Sequence, residues 1–455
     1  MSTETRKTLT YAAVAAVLLL ITVVSAPKQV APDAFFDQGE AFFPDFTDPN
    51  AARTLEVIDY DEETGSPVPF KVTFSGGSWT IPSHHDYPAD GKDRLARTAA
   101  GLIGVTKDDF RTDNPADHAA CGVVDPLDET NPDLKGRGQR ITIKGENDVV
   151  LADLILGKAF EGRENFRLVR VPGQKRVYGA RIDLDLSTSF KDWIEADLML
   201  VEATEIEQVK LLDYSVDERT GRLDERGNIT LVSQSESDWT MEGLDAKEEL
   251  ERYKVNNLVR AVDELTIEGV RPKPAWLSAS LTRADDKEVR ITDGDLLSMQ
   301  SMGYYFTREG RLVSNEGELQ VRTTDGVTYT LRFGEVALGT GLAATAGGDG
   351  QEAGAPGENR YLMITTSFDP ALFPEPLRPA NQDFASRPDS LWTEADYDNK
   401  NLQDAWDRWK RRVDAGSERS QELNRRFGPW YYVISSESFD KLRVKRTDLV
   451  REKTT

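Results

Sequence analysis

Two stretches of this chain repeat one another in order and in kind, and a repeat sets the folding unit before any single element is assigned. The first begins Leu55-Glu-Val-Ile-Asp59-Tyr60 and runs into Asp61-Glu-Glu-Thr64-Gly65. The second begins Val209-Lys-Leu-Leu-Asp213-Tyr214 and, two residues later, runs into Asp217-Glu-Arg-Thr220-Gly221. Each reads as an apolar strand entering a turn closed by Thr-Gly. A second strand follows, Phe70–Phe74 in one and Ile229–Val232 in the other. Then come Ser78-Trp79-Thr80-Ile81 and Asp238-Trp239-Thr240-Met241, each leading into a helical pattern. Leu95, Ala99 and Leu102 carry the first helix; Leu250, Tyr253, Leu258, Val262 and Leu265 carry the second. The alternation of Trp79 with Ile81, and of Trp239 with Met241, predicts that both tryptophans occupy equivalent core positions.

Later in each copy lies a hairpin. Ile141–Ile143, a Gly145-Glu-Asn-Asp turn and Val149–Gly157 match Leu319–Val321, Thr324-Asp325-Gly326 and Val327–Gly334. Further strands are expected at Phe166–Val171 and Tyr361–Thr366, then at Arg176–Ile182 and Trp430–Ile434. One module spans about 53–205 and the other about 206–455. Short turns without regular βαβ alternation favour antiparallel pairing, so the expected class is α+β: two related antiparallel-sheet modules with packed helices. The second is longer through an insertion at about 339–428. Gly339–Gly357 is expected to be a flexible loop and Phe368–Pro388 to be extended. Leu391–Arg426 places Trp392, Leu402, Trp406, Trp409 and Val413 on one helical face, either packed on its own domain or docking a partner.

Ahead of the repeat, Leu9–Ala26 is an uncharged, mostly apolar run, at about 1.5 Å per residue long enough to cross a bilayer core. Arg6 and Lys7 precede it, which predicts a cytoplasmic tip (1–26 with the anchor), one transmembrane helix and an exported chain. The rival reading is a cleaved signal peptide ending at Val24-Ser25-Ala26. Pro27 would follow that cut and obstruct it, and no lipoprotein cysteine is present. Residues 27–52, rich in Pro, Asp and Phe, read as a tether. The expected location is the bacterial inner membrane, with the bulk of the chain on the extracytoplasmic side.

Lys plus Arg number 56 and Asp plus Glu 79, a net charge of −23. Such acidity argues against a nucleic-acid partner, which needs a basic face. One cysteine, Cys121, excludes an intramolecular disulfide. No GxxxxGK[ST], GxSxG or HExxH motif occurs, and Ser438-Phe-Asp-Lys441 fits SxxK spacing without the Ser-Asp-Asn or Lys-Thr-Gly that would accompany it. All three histidines, His84, His85 and His118, and the only cysteine fall between 84 and 121: His118-x-x-Cys121 can place two ligands on one metal and His84 or His85 could add a third, while the plainer reading is an exposed His84-His85-Asp86 turn and a half-buried Cys121 before a loop. The second copy has no equivalents, so no metal, cofactor or catalytic residue is assigned. Asp59-Tyr60 and Asp213-Tyr214 read as strand ends whose hydroxyls hydrogen-bond. The basic tail, Lys441, Arg443, Lys445, Arg446, Arg451 and Lys453, is expected to pair with the protein's own acidic face.

The order of anchor, Ser-Trp-Thr-Ile with a following Pro, helix, Gly122-Val-Val-Asp125-Pro126, hairpin and Val-Tyr strand resembles the bacterial envelope family catalogued as domain of unknown function four-three-four-zero. Met302-Gly303-Tyr304-Tyr305-Phe306, Asn315-Glu316-Gly317-Glu318-Leu319, Thr324–Tyr329 and Arg426-Phe-Gly-Pro-Trp430 carry the resemblance into the second copy. Members commonly occur beside ABC-type transport systems of the gliding-motility kind. The resemblance therefore implies a non-catalytic accessory or scaffold of such a system, with protein partners in the transport complex. The alternatives are a cell-envelope module binding a glycan or peptide and, further off, a metal-dependent hydrolase built on His84 to Cys121.

Overall fold

The computed structural model describes Ala15 and residues 37–132, 134–184, 186–217, 222–235, 238–282, 292–337 and 359–453. The expected anchor, apart from Ala15, and the Gly339–Gly357 loop lie outside them. Among the described residues no helix is long and apolar enough to cross a membrane. The protein is α+β, with antiparallel sheets and several helices.

The chain divides into two units, 1–69 with 96–185, and 70–95 with 186–455. Residues 70–95, expected with the first module, thus group with the second. Strand β1 (Thr54–Asp61) opens the first unit. Strand β2 (Ser66–Ser75) begins in that unit and ends in the other. Then come β3 (Ser78–Ile81), β4 (Tyr87–Pro88), β5 (Asp109–Thr112), β6 (Gln139–Lys144), β7 (Val150–Ala159), β8 (Phe166–Arg170) and β9 (Val177–Arg181). Their order across the sheet is β4-β3-β2-β1-β6-β7-β8-β9-β5. Leu55 stands opposite Ile143 and Val57 opposite Ile141, all four fully buried, so the period-2 alternation sets this register. The turn after β1 forms as its residues dictate: Thr64 Oγ donates to Asp61, and Gly65 takes φ +66°, where a side chain would be strained. Residues 37–52, read as a tether, are packed at their described end. Asp37, Phe46 and Ala52 are buried, and Asp37 accepts hydrogen bonds from Tyr178 (2.6 Å), Arg176 (3.1 Å) and Lys107 (3.2 Å). Burial alone would raise this carboxyl's pKa, but those three donors hold it below its ordinary value. Burial, with Asp37 beside it, pushes the Tyr178 hydroxyl up to about 12.

The second unit continues with β10 (Ile206–Asp217), β11 (Arg222–Ser235), β12 (Asp238–Met241), β13 (Glu248–Leu250), β14 (Gly269–Pro272), β15 (Tyr304–Phe306), β16 (Leu312–Ser314), β17 (Glu318–Thr323), β18 (Val327–Val336), β19 (Arg360–Phe368), β20 (Trp430–Ile434) and β21 (Val450–Glu452). Eight of them form one sheet in the order β12-β11-β10-β17-β18-β19-β20-β14; β13 pairs with β21 and β15 with β16. The hairpin turn is the expected one, with Asp325 accepting from Val327 N–H and Gly326 at φ +85°.

Helix Arg252–Asp263 buries Val255, Leu258, Val259 and Val262. Tyr253, expected on that face, is exposed, because the stripe continues through Val255 and Val259 instead. Helix Glu394–Phe427 starts at a reciprocal Thr393–Asp396 cap and buries Gly416, Ser420, Leu423 and Phe427. Asn424 closes two hydrogen bonds with the Thr366 backbone of β19, at 2.8 and 2.7 Å. Its amino-terminal half carries Leu402, Trp406, Trp409 and Val413, all half-buried. Trp409 donates to the Phe373 carbonyl at 2.8 Å, so this part packs on the extended segment that precedes it.

The tryptophan expectation divides. Trp239 is buried, as is Met241. Trp79 is only half-buried and pairs across the strands with exposed Phe74 at 5.2 Å between rings. The large aromatic core position is filled by Trp193, fully buried against Phe70, with its Nε1 donating to the Ser187 carbonyl at 2.8 Å. A short 3-10 turn (Phe190–Trp193) delivers it, and no strand period marks such a turn.

Candidate functional site

The residues that chemistry would single out are dispersed. Cys121 is buried in the first unit among Val123, Ile155, Leu168 and Val177, and burial pushes its thiol pKa up. His118 lies in the same unit, with Nε2 at 2.8 Å from the Lys175 carbonyl. His84 and His85 lie in the second unit. His84 is buried, stacked on Phe190 at 4.7 Å, with Nδ1 bonded to Ser83. His85 sits at φ 61° beside Arg271; burial, and then that guanidinium, lower its pKa. Among the described residues no three His, Cys, Asp or Glu side chains gather as a metal would require. Lys441 of the SxxK spacing pairs with Glu437 at 2.7 Å, while Ser438 faces Ser435 at 3.0 Å; that arrangement supplies no activated hydroxyl.

Asp59 accepts from Gln139 (2.8 Å) and Tyr60 donates to Gly65 (2.9 Å), both structural. Burial raises the Asp59 pKa. Their counterparts Asp213 and Tyr214 lie beside a buried ion cluster. Tyr214 donates to Glu318, whose carboxylate is 1% exposed and stands 3.2 Å from both Arg311 and Arg332.

Beside that cluster opens a cleft of about 490 Å³. Strands β10, β11, β17 and β18 supply its floor through Leu211, Ile229, Leu319 and Phe333, and the segment Leu442–Thr447 supplies its wall. The side chains of that floor are buried because the period-2 alternation turns them onto one face. The cleft's carboxylates are already neutralised. Asp213 takes Arg226 at 2.8 Å, Glu316 takes Arg443 at 2.7 Å, and Glu318 takes the two arginines named above. Arg446 is held by Glu248 at 2.6 Å. Lys445 is exposed and makes no ion pair among the described residues. The geometry suits holding a molecule, with an apolar floor and a few polar groups at the rim.

The basic tail was legible as a charge cluster, and it does pair with the protein's own carboxylates: Arg451 meets Glu249 at 2.7 Å alongside the Arg443 and Arg446 pairs. The floor and Arg226 carried no sequence signal, because ordinary strand residues over a hundred positions apart converge there.

One further side chain is unusual. Lys273 is buried, donates to the Phe427 carbonyl at 2.9 Å and lies 5.5 Å from the Tyr431 ring. Burial, and then Arg332, lower its pKa well below the ordinary lysine value. The unfolded chain keeps this ammonium charged up to about pH 10.4, so between the lowered value and that pH it binds more protons than the folded protein. Stability therefore rises with pH across that window. We expect the wild-type denaturation midpoint to climb towards pH 10 relative to Lys273→Met; parallel midpoint–pH profiles would contradict a neutral buried lysine.

No curated protein and no solved structure matches the chain. Residues 79–289, a little under half of it, match the family described as Domain of unknown function (DUF4340).

Proposed function

We propose that this chain is a single-pass, membrane-anchored, non-catalytic protein of the bacterial envelope whose second unit binds a small ligand. The observation that carries the reading is the 490 Å³ cleft, apolar in its floor and polar at its rim, within the size range of ligand sites. The apolar run Leu9–Ala26 supports the anchor and an extracytoplasmic position for the rest. Two related modules are supported by strand order: β3-β2-β1-β6-β7-β8-β9-β5 corresponds strand for strand to β12-β11-β10-β17-β18-β19-β20-β14. The second reading, accessory or scaffold of an ABC-type envelope transport system, rests on the transport systems beside which members of the resembled family commonly occur; the match over 79–289 is to a domain of unknown function and names no role. The two are compatible, since a transport accessory that handles substrate needs a place to hold it.

Native mass spectrometry of the full chain extracted from membranes tests the reading. A non-protein mass that stays with the protein and disappears when the cleft is plugged is the expected result. Protein that carries no such mass, together with a crosslinking pull-down from intact membranes that recovers transporter subunits, would replace ligand binding with scaffolding alone.

A further inference from the structure

Resting on the ligand-binding reading, we infer that the cleft takes a single-chain amphiphile: an apolar chain on the floor, with an anionic headgroup at Lys445. Three observations point the same way. What the floor opens to the cleft is the edge of Leu211, Ile229 and Phe333, each no more than 9% exposed, over the fully buried Leu319, and that edge offers dispersion and no hydrogen bonds. The carboxylates that would repel an anion are each neutralised by arginine, Asp213 by Arg226, Glu316 by Arg443 and Glu318 by Arg332. On the segment that walls the cleft, Lys445 is exposed and makes no ion pair among the described residues, flanked in sequence by Arg443 and Arg446. A glycan would need many unspent donors and acceptors on the floor, and a cationic ligand would meet rim charge of its own sign. In a protein of net charge −23, a cationic rim over an apolar floor is a local inversion of the average surface.

Gly227 gives a clean way to plug the site. It lines the cleft, and a Cβ built on it would meet nothing within 4 Å. Gly227→Trp therefore adds a bulky ring at the cleft without displacing the backbone. Lys445 is exposed, so Lys445→Glu keeps the fold whatever becomes of the tryptophan.

The experiment uses the full chain in membranes and dodecyl phosphate carrying a diazirine at its chain end. Photolabel is expected in the peptides holding Leu211–Ile229 and Leu442–Thr447. Unlabelled dodecyl phosphate should compete about tenfold better than dodecyltrimethylammonium, the gain of one charge-assisted contact. Lys445→Glu should erase that preference, and Gly227→Trp should abolish labelling. If the phosphate and the ammonium compete equally, the anionic class is wrong while the ligand cleft stands. If a neutral diazirine-bearing dodecanol also leaves those peptides unlabelled, or labels Gly227→Trp as well as wild type, the cleft is not a ligand site and the reading beneath the inference falls with it.

Discussion

Truncating Trp193 to alanine should cost about 3–5 kcal/mol, the range for removing a fully buried large aromatic. Trp193 is 0% exposed and packs at 5.8 Å on Phe70, while His84 and Phe190 stack beside them. The change would leave a cavity lined by aromatic faces and would strand the Ser187 carbonyl that now accepts from the indole. Trp79→Ala is the internal control. Its ring is half-buried against an exposed partner, and such an aromatic pair is worth only about 0.5–1.5 kcal/mol beyond area burial. Chemical denaturation of each variant separates the two. A Trp79 cost equal to that of Trp193 would mean that the strand-borne tryptophan is a core residue after all.

Glu318→Ala should be comparably damaging, about 3–5 kcal/mol, because it leaves a buried guanidinium without its counter-charge. The carboxylate is 1% exposed and Arg332 only 14%, so water cannot replace what is lost at that arginine; Arg311, 52% exposed, is re-solvated at little cost. The Tyr214 hydroxyl also loses its acceptor. Glu316→Ala, two residues away, removes a carboxylate that is 23% exposed and should cost no more than about 1 kcal/mol. Equal melting temperatures for Glu318→Ala and wild type would show that the cluster is solvated and contributes nothing.

The comparison of these side chains shows what a sequence can and cannot disclose here. The strands were legible because alternating Leu, Ile and Val carry period 2 directly, as Leu55 and Val57 do opposite Ile143 and Ile141. The turns were legible because Thr64-Gly65 and Asp325-Gly326 do local chemistry that depends on no distant residue. Trp193 was not, since a 3-10 turn has no apolar period to betray it. Glu318 was one among 79 acidic residues, and its burial depends on β10 and β18 closing around it. Trp79 misled because period 2 says which face a side chain takes but not whether anything covers that face. His84 and Cys121 drew attention by residue type, and both turn out to serve packing. The cleft was the least legible feature. Its floor uses residues 211 to 333 and its wall residues 442 to 447, and only the fold brings them within reach of one another.

The strand pairings also bear on how this chain acquires its structure. In the second unit, β14 (269–272) finds its partner in β20 (430–434), and β13 (248–250) finds its partner in β21 (450–452). Both ladders wait for segments separated by well over a hundred residues, the regime in which loop closure slows folding. During emergence of the polypeptide, β14 would stand unpaired until β20 has been delivered. Truncation ahead of Trp430 should therefore act less like trimming a tail than like withholding the strand that joins β14 to the sheet, and should be read first in aggregation of newly made protein.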